Sequence, residues 1–250
     1  MTRVIGIFSS KGGVGKTTLS INLAASASYN FGKKVCLIDT NLSCASLGVH
    51  LGMHLNPTNF NMILREEAGI DDVLVRHPSG MMVLPASIQL KESLTQLSNL
   101  SKVISSLKKD YDLIFLDTAP SVDNETQWAM HSCDEGIIVT DPTTPSIIEA
   151  IKISKLAEKY RVRILGVVIN KNLKNGLSEE EVSYFTRQRV LGKIPFDMRV
   201  DDSIKYHMPA VHYAPRSRLS QEIKKLSASL LGAEYRVPAF EKMLNAIGIN

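Results

Sequence analysis

Six short apolar runs punctuate the chain, at residues 4–8, 35–38, 81–84, 113–116, 136–139 and 164–169, and none alternates with polar residues. A strand buried on one face only would alternate, so unbroken runs of this length indicate parallel strands covered on both faces. Between them the spacing becomes helical, most clearly over 17–29, 90–109 and 146–160, each long enough for a right-handed crossover. The predicted class is α/β, a doubly wound, mostly parallel sheet with helices on both faces.

Composition supports a packed interior. The chain has 250 residues, 44% hydrophobic and 22% charged, which suits one large domain, expected over 1–232. After Gly232 the sequence Ala233-Glu234-Tyr235-Arg236-Val237-Pro238 breaks any helix and leaves a tail, 233–250. No apolar stretch approaches the ~20 residues of a membrane span, and the N-terminus runs straight into a motif, so neither a span nor a signal peptide is expected. Cys36, Cys44 and Cys133 lack CxxC spacing and read as thiols of a reducing compartment, hence a cytoplasmic location. Cys36 reads as a small apolar filler, the alternative being a metal or cluster shared across a dimer. A formal charge of +4 permits an acidic partner surface and specifies nothing more.

The chemistry concentrates where the first run ends, in Ser9-Ser10-Lys11-Gly12-Gly13-Val14-Gly15-Lys16-Thr17-Thr18, followed at once by a helical pattern. Glycines let backbone N–H groups converge on phosphates, and the helix N-terminus adds its positive dipole end. In such a loop Gly12, Gly13, Val14 and Gly15 form the cradle, Lys16 reaches the β/γ-phosphates, Thr17 binds Mg²⁺ and Thr18 adds an α-phosphate contact. A bare glycine-rich turn is the other reading. Asp39 and Asp117 end two of the apolar runs, where open α/β sheets place their ligands, although either could merely cap the following turn. Asn170 ends another; its amide can pair with an adenine edge or simply begin a turn.

Ser10 stands where a plain P-loop has glycine, and Lys11 adds a second cation. Lys-Gly-Gly-Val-Gly-Lys-Thr-Thr resembles the deviant Walker A of the MinD/ParA ATPase family, a motif shared with nitrogenase iron proteins and cluster-assembly ATPases. The resemblance extends over about residues 3–232 and is nearest to MinD-like proteins, since 208–217 is similar to their Pro-Val…Pro-x-Ser stretch. It implies that Lys11 reaches the partner's nucleotide across a two-fold interface, making hydrolysis depend on a dimer. It further implies that Asp117 is the Walker B aspartate holding Mg²⁺ through water, that Asp39 opens switch I, and that Pro195, Phe196 and Asp197 lie in the adenine-side loop. Asn41 departs from the pattern, which has a second aspartate there. Asparagine can orient a water but cannot take its proton, so slow turnover is expected, or an engineered trap of the ATP state. The catalytic set implied is Lys11, Lys16, Asp39, Asn41 and Asp117, and the metal set Thr17, Asp39 and Asp117.

The resemblance therefore implies an ATP/ADP- and Mg²⁺-dependent switch, a homodimer in the ATP state, that positions cellular components with a protein partner regulating hydrolysis. Other surfaces are open. Phe240, Met243, Leu244 and Ile247 form an apolar stripe for a membrane surface at its inner face, or for packing on the body, since the tail lacks the basic charge that anionic lipid attracts. Arg187, Arg189, Lys205, Arg216, Arg218, Lys224 and Lys225 form either a non-specific DNA surface, as in ParA, or a solvated face with Lys224 and Lys225 near Glu222. A metal- or cluster-handling ATPase is the remaining alternative, against which stands the lack of paired cysteines.

Overall fold

The computed structural model describes residues 1–89, 96–172 and 176–236. Its strands are β1 Arg3–Ser9, β2 Val35–Asp39, β3 Val75–Arg76, β4 Met82–Leu84, β5 Leu113–Pro120, β6 Glu135–Thr140, β7 Arg163–Asn172 and β8 Val190–Pro195. Among the described residues they form one sheet in the order β3-β4-β2-β5-β1-β6-β7-β8, parallel throughout except for the short β3–β4 pair. Five of the six apolar runs lie wholly in strands, and the sixth, 81–84, starts one residue before β4. Their lack of polar alternation is explained by β1, whose Val4 and Phe8 enter one core while Ile5 and Ile7 enter the other.

Helices cover both faces. With Ile5 and Ile7 pack Leu19 and Leu23 of α1 (Lys16–Tyr29), and Leu219, Ile223 and Leu226 of the last described helix, Arg218–Leu231. On the opposite face lie Leu100 and Ile104 of the helix Leu100–Leu107, Met130 of Asn124–Ser132, and Ile147 and Ile153 of Thr144–Tyr160. None of the described helices is long and apolar enough to cross a membrane.

Two strands escape the hydrophobic pattern. Only two residues long, β3 is too short to show a period. At the sheet edge, β8 is mostly half-buried and contains Gly192 and Lys193, so it reads as loop in a one-dimensional pattern. The helix predicted over 90–109 is a 3₁₀ turn, Leu97–Asn99, followed by Leu100–Leu107, with 90–95 outside the described residues. The apolar stripe of Phe240, Met243, Leu244 and Ile247 also lies outside them. The final described helix ends at a left-handed Gly232, φ 64°.

Candidate functional site

Between β1 and α1 the chain turns on two left-handed glycines, Gly13 at φ 76° and Gly15 at φ 92°. L side chains rarely adopt this backbone. At Gly15 space is also lacking, because a Cβ there would sit 2.2 Å from Asn170 Nδ2. The Gly15 carbonyl accepts the Leu19 N–H at 2.9 Å, so the loop passes directly into α1, whose first turn holds no acidic residue to compete for an anion. Ser9 steadies the entrance: its hydroxyl donates to the Lys11 carbonyl at 2.7 Å and accepts the Lys11 N–H at 3.1 Å.

Parallel pairing of β2 with β5 sets Asp39 beside Asp117, both fully buried. Asp39 accepts the Asn41 and Leu47 N–H groups at 3.1 and 3.2 Å, and so ties down the turn after β2. Burial pushes its carboxyl well up, and the Asp117 charge adds to the shift. Asp117 accepts from the Ser20 hydroxyl at 3.0 Å through Oδ1, while Oδ2 has no partner among the described residues. Burial raises this carboxyl too, opposed by the nearby Thr17 and Ser20 hydroxyls and the attraction of Lys16. Lys16 is itself 7% exposed, and burial brings its ammonium down to about 8 despite the Asp117 charge. A buried carboxylate oxygen lacking a donor, next to the Thr17 hydroxyl, is the hard-oxygen environment that a divalent cation fits.

A cavity of about 350 Å³ opens over the loop. Its wall includes Gly13, Gly15, Lys16, Thr17, Thr18 and Asn41, and from the far segments Asn170, Pro195, Phe196 and Asp197. The structure thus brings the loop, the switch asparagine and the expected base-side residues to one space. Asn41 donates to the Cys44 carbonyl at 2.8 Å and leaves Oδ1 buried without a partner among the described residues. Asp197 is committed to Arg199: burial raises its carboxyl, but a two-pronged guanidinium contact at 2.8 Å pulls it below the ordinary range. Gly12 and Val14 shape the loop without lining the cavity, and Asp39 and Asp117 are buried out of its wall.

Lys11 is not part of that wall. Its ammonium bonds Asp141 at 2.9 Å and Ser146 at 2.7 Å, at the start of the helix Thr144–Tyr160. The basic set needs a correction: Lys224 is 7% exposed and donates to the Pro215 carbonyl at 2.8 Å, its stem following the packed side of its helix, so it offers no charge to DNA. Arg187, Arg189, Lys205, Arg216, Arg218 and Lys225 are exposed, with Lys225 on Glu222 as its i,i+3 spacing allows. Cys36 is fully buried in β2, a filler of the core.

Sequence reasoning missed three residues. Ser20, one turn beyond Lys16, was legible from i,i+4 spacing alone. Glu125, which accepts the Ser43 N–H of the switch segment at 3.1 Å, comes from a distant helix, and no local pattern announces it. Lys171 lines the cavity and is the third; it follows a strand end that reads as complete at Asn170.

The doubly wound sheet, the left-handed glycine loop, the buried lysine and the strand-end aspartates define the class of P-loop nucleoside-triphosphatase folds. Comparisons agree. A family model described as an AAA domain matches residues 2–173. An uncharacterised ATP-binding protein of Methanocaldococcus jannaschii is 31% identical over 245 residues, spanning 97% of this chain and 92% of that protein. The septum site-determining protein MinD complexed with Mg-ADP from Pyrococcus horikoshii superposes with a TM-score of 0.87 at 29% identity, covering 92% of this chain and 96% of that one. MinD in the MinC:MinD cell division protein complex of Aquifex aeolicus gives 0.84 at 26% identity, over 95% and 99% of the two chains. The chain belongs to the MinD/ParA family of ATPases.

Proposed function

We propose that the chain is a cytoplasmic ATP-dependent switch that dimerises with ATP, hydrolyses it slowly, and in the dimeric state positions cellular components, such as a division site or a partitioned cargo. One observation carries this reading: a buried Asp117 oxygen without a partner among the described residues stands beside Lys16 and Thr17 at the foot of a left-handed glycine loop. Such an array is unfavourable by itself and becomes balanced around a phosphate and its cation.

Loop N–H groups and Lys16 bind the β- and γ-phosphates, and Thr17 and Asp117 hold Mg²⁺, with Asp39 keeping the switch segment closed over them. When bound, Mg²⁺ supplies charge neutralisation on the phosphate oxygens. Pro195, Phe196, Asp197 and Asn170 bound the base side. Asn41 orients the attacking water through its amide but holds no proton-accepting group, which limits the rate. Lys11, standing apart from its own chain's cavity, serves the partner's nucleotide. The Pyrococcus relative bound to Mg-ADP and the Aquifex relative bound to MinC support the cofactor and a regulating protein partner.

Light scattering with ATP, ADP and a non-hydrolysable ATP analogue, paired with cosedimentation on anionic vesicles and on duplex DNA, tests the proposal. A dimer with ATP and a monomer with ADP are expected. Equal oligomeric state with both nucleotides would remove the switch. Salt-sensitive DNA pelleting would assign the exposed arginines to a partition role, ATP-dependent vesicle pelleting would assign the tail to a membrane, and an iron chromophore after anaerobic purification would point to cluster handling.

A further inference from the structure

The end of β7 departs from strand geometry. Consecutive strand residues point to opposite faces, yet Asn170 and Lys171 reach the same loop. Asn170 Nδ2 donates to the Val14 carbonyl at 2.7 Å, and Lys171 Nζ donates to the Gly13 carbonyl at 2.8 Å. Two backbone features make this possible. Lys171 stands at φ 51°, in the left-handed region, and the β7–β8 ladder loses register between Ile169 and Asn172. A lysine has none of glycine's ease at such angles, so its surroundings hold it there, as they do where backbone strain serves a site.

We infer that Asn170 and Lys171 form a clamp that orients the peptides 13–14 and 14–15, and that Lys171 is a positioning residue for phosphate binding. The inference rests on the phosphate-loop reading above and deepens it. In a trans peptide the N–H points opposite to the C=O. Holding the Gly13 and Val14 carbonyls on Lys171 and Asn170 therefore fixes the N–H groups of Val14 and Gly15 on the opposite side of their peptides. The loop needs such bracing, because Gly12, Gly13 and Gly15 give it freedom that would otherwise be lost on binding. The close fit of Asn170 against Gly15 puts β7 and the loop in direct contact. Lys171 acts through the loop, so its effect falls on the phosphate chain and not on the base.

Isothermal titration with inorganic tripolyphosphate and with ATP, each with Mg²⁺, tests this on the wild type, Lys171→Met and Lys171→Arg. Methionine keeps the stem and removes the donor; arginine keeps a donor. Lys171→Met is expected to weaken both ligands by the same factor, roughly fivefold, as suits one exposed ammonium-to-carbonyl bond. Lys171→Arg restores most of it. The loss persists at about 1 M salt, where a Debye length of ~3 Å silences attraction at a distance. An unchanged unfolding temperature without ligand shows that the fold is intact. Tripolyphosphate binding unchanged in Lys171→Met, a loss seen with ATP alone, or a loss confined to low salt would overturn the clamp. Wild-type protein binding neither probe would instead remove the nucleotide reading, and the clamp with it.

Discussion

Asp117 gives one oxygen to Ser20 and keeps the other, buried, without a donor among the described residues. Its raised carboxyl means that the charged form is penalised in the fold, a penalty absent below the ordinary 3.8 and growing as pH rises through the folded value. Asp117→Asn retains the oxygen that Ser20 addresses and removes the charge. Calorimetry at neutral pH should show the ligand-free variant more stable by about 1–2 kcal/mol, a Tm gain of roughly 2–6 °C, with no further gain from Mg²⁺ and ATP. Lys16 shifts the other way. With its ammonium near 8, the free protein sheds that proton as pH rises through 8, while a bound phosphate holds it. ATP affinity should therefore fall between about pH 7 and 9, and titration in buffers of differing ionisation enthalpy should reveal proton uptake on binding. Asn41→Asp adds a carboxylate to the group of Asp39, Asp117 and Glu125 and removes the donor to Cys44. The ligand-free protein should lose about 1–2 kcal/mol, and steady-state phosphate release by the dimer should rise roughly tenfold; unchanged turnover would show that Asn41 is not the brake.

Strand ends made the main site legible. An apolar run that stops at a carboxylate fixes both the element and the side chain at its mouth, which is why Asp39 and Asp117 could be read beside Lys16 and Thr17. Contacts made across the sheet were not legible: Glu125 on the switch segment and Lys171 on the loop depend on which strands neighbour which, and on a left-handed lysine no propensity suggests. β8 was missed because most of its residues are only half-buried at the edge of the sheet, leaving no apolar run to read. The loop element gives a graded prediction. Gly13→Ala meets strain but open space, whereas Gly15→Ala meets strain and the Asn170 amide. Losses of about 1 kcal/mol and of more than about 2 kcal/mol should separate the two in urea titrations, and only the second should abolish ATP binding.

At the scale of the molecule, one sheet sets the floor of the cavity, and β1 near its centre delivers the loop between two cores. Residue patterns along the chain specified that architecture because the central strands are buried on both faces and their crossovers are long. They could not specify the assembly, which depends on surfaces. Lys11 is the test of assembly. Lys11→Ala removes a side chain that lies outside its own chain's cavity wall. The variant should bind ATP with affinity within about threefold of wild type while ATP turnover falls at least about 100-fold, as measured by titration and phosphate release.

The outer border of the sheet has its own consequence. On β8, Pro195 offers no N–H and Lys193 is held by Glu179 at 3.0 Å. A stray strand arriving there finds a missing rung and a lysine already bound to Glu179, which disfavours backbone pairing at this edge.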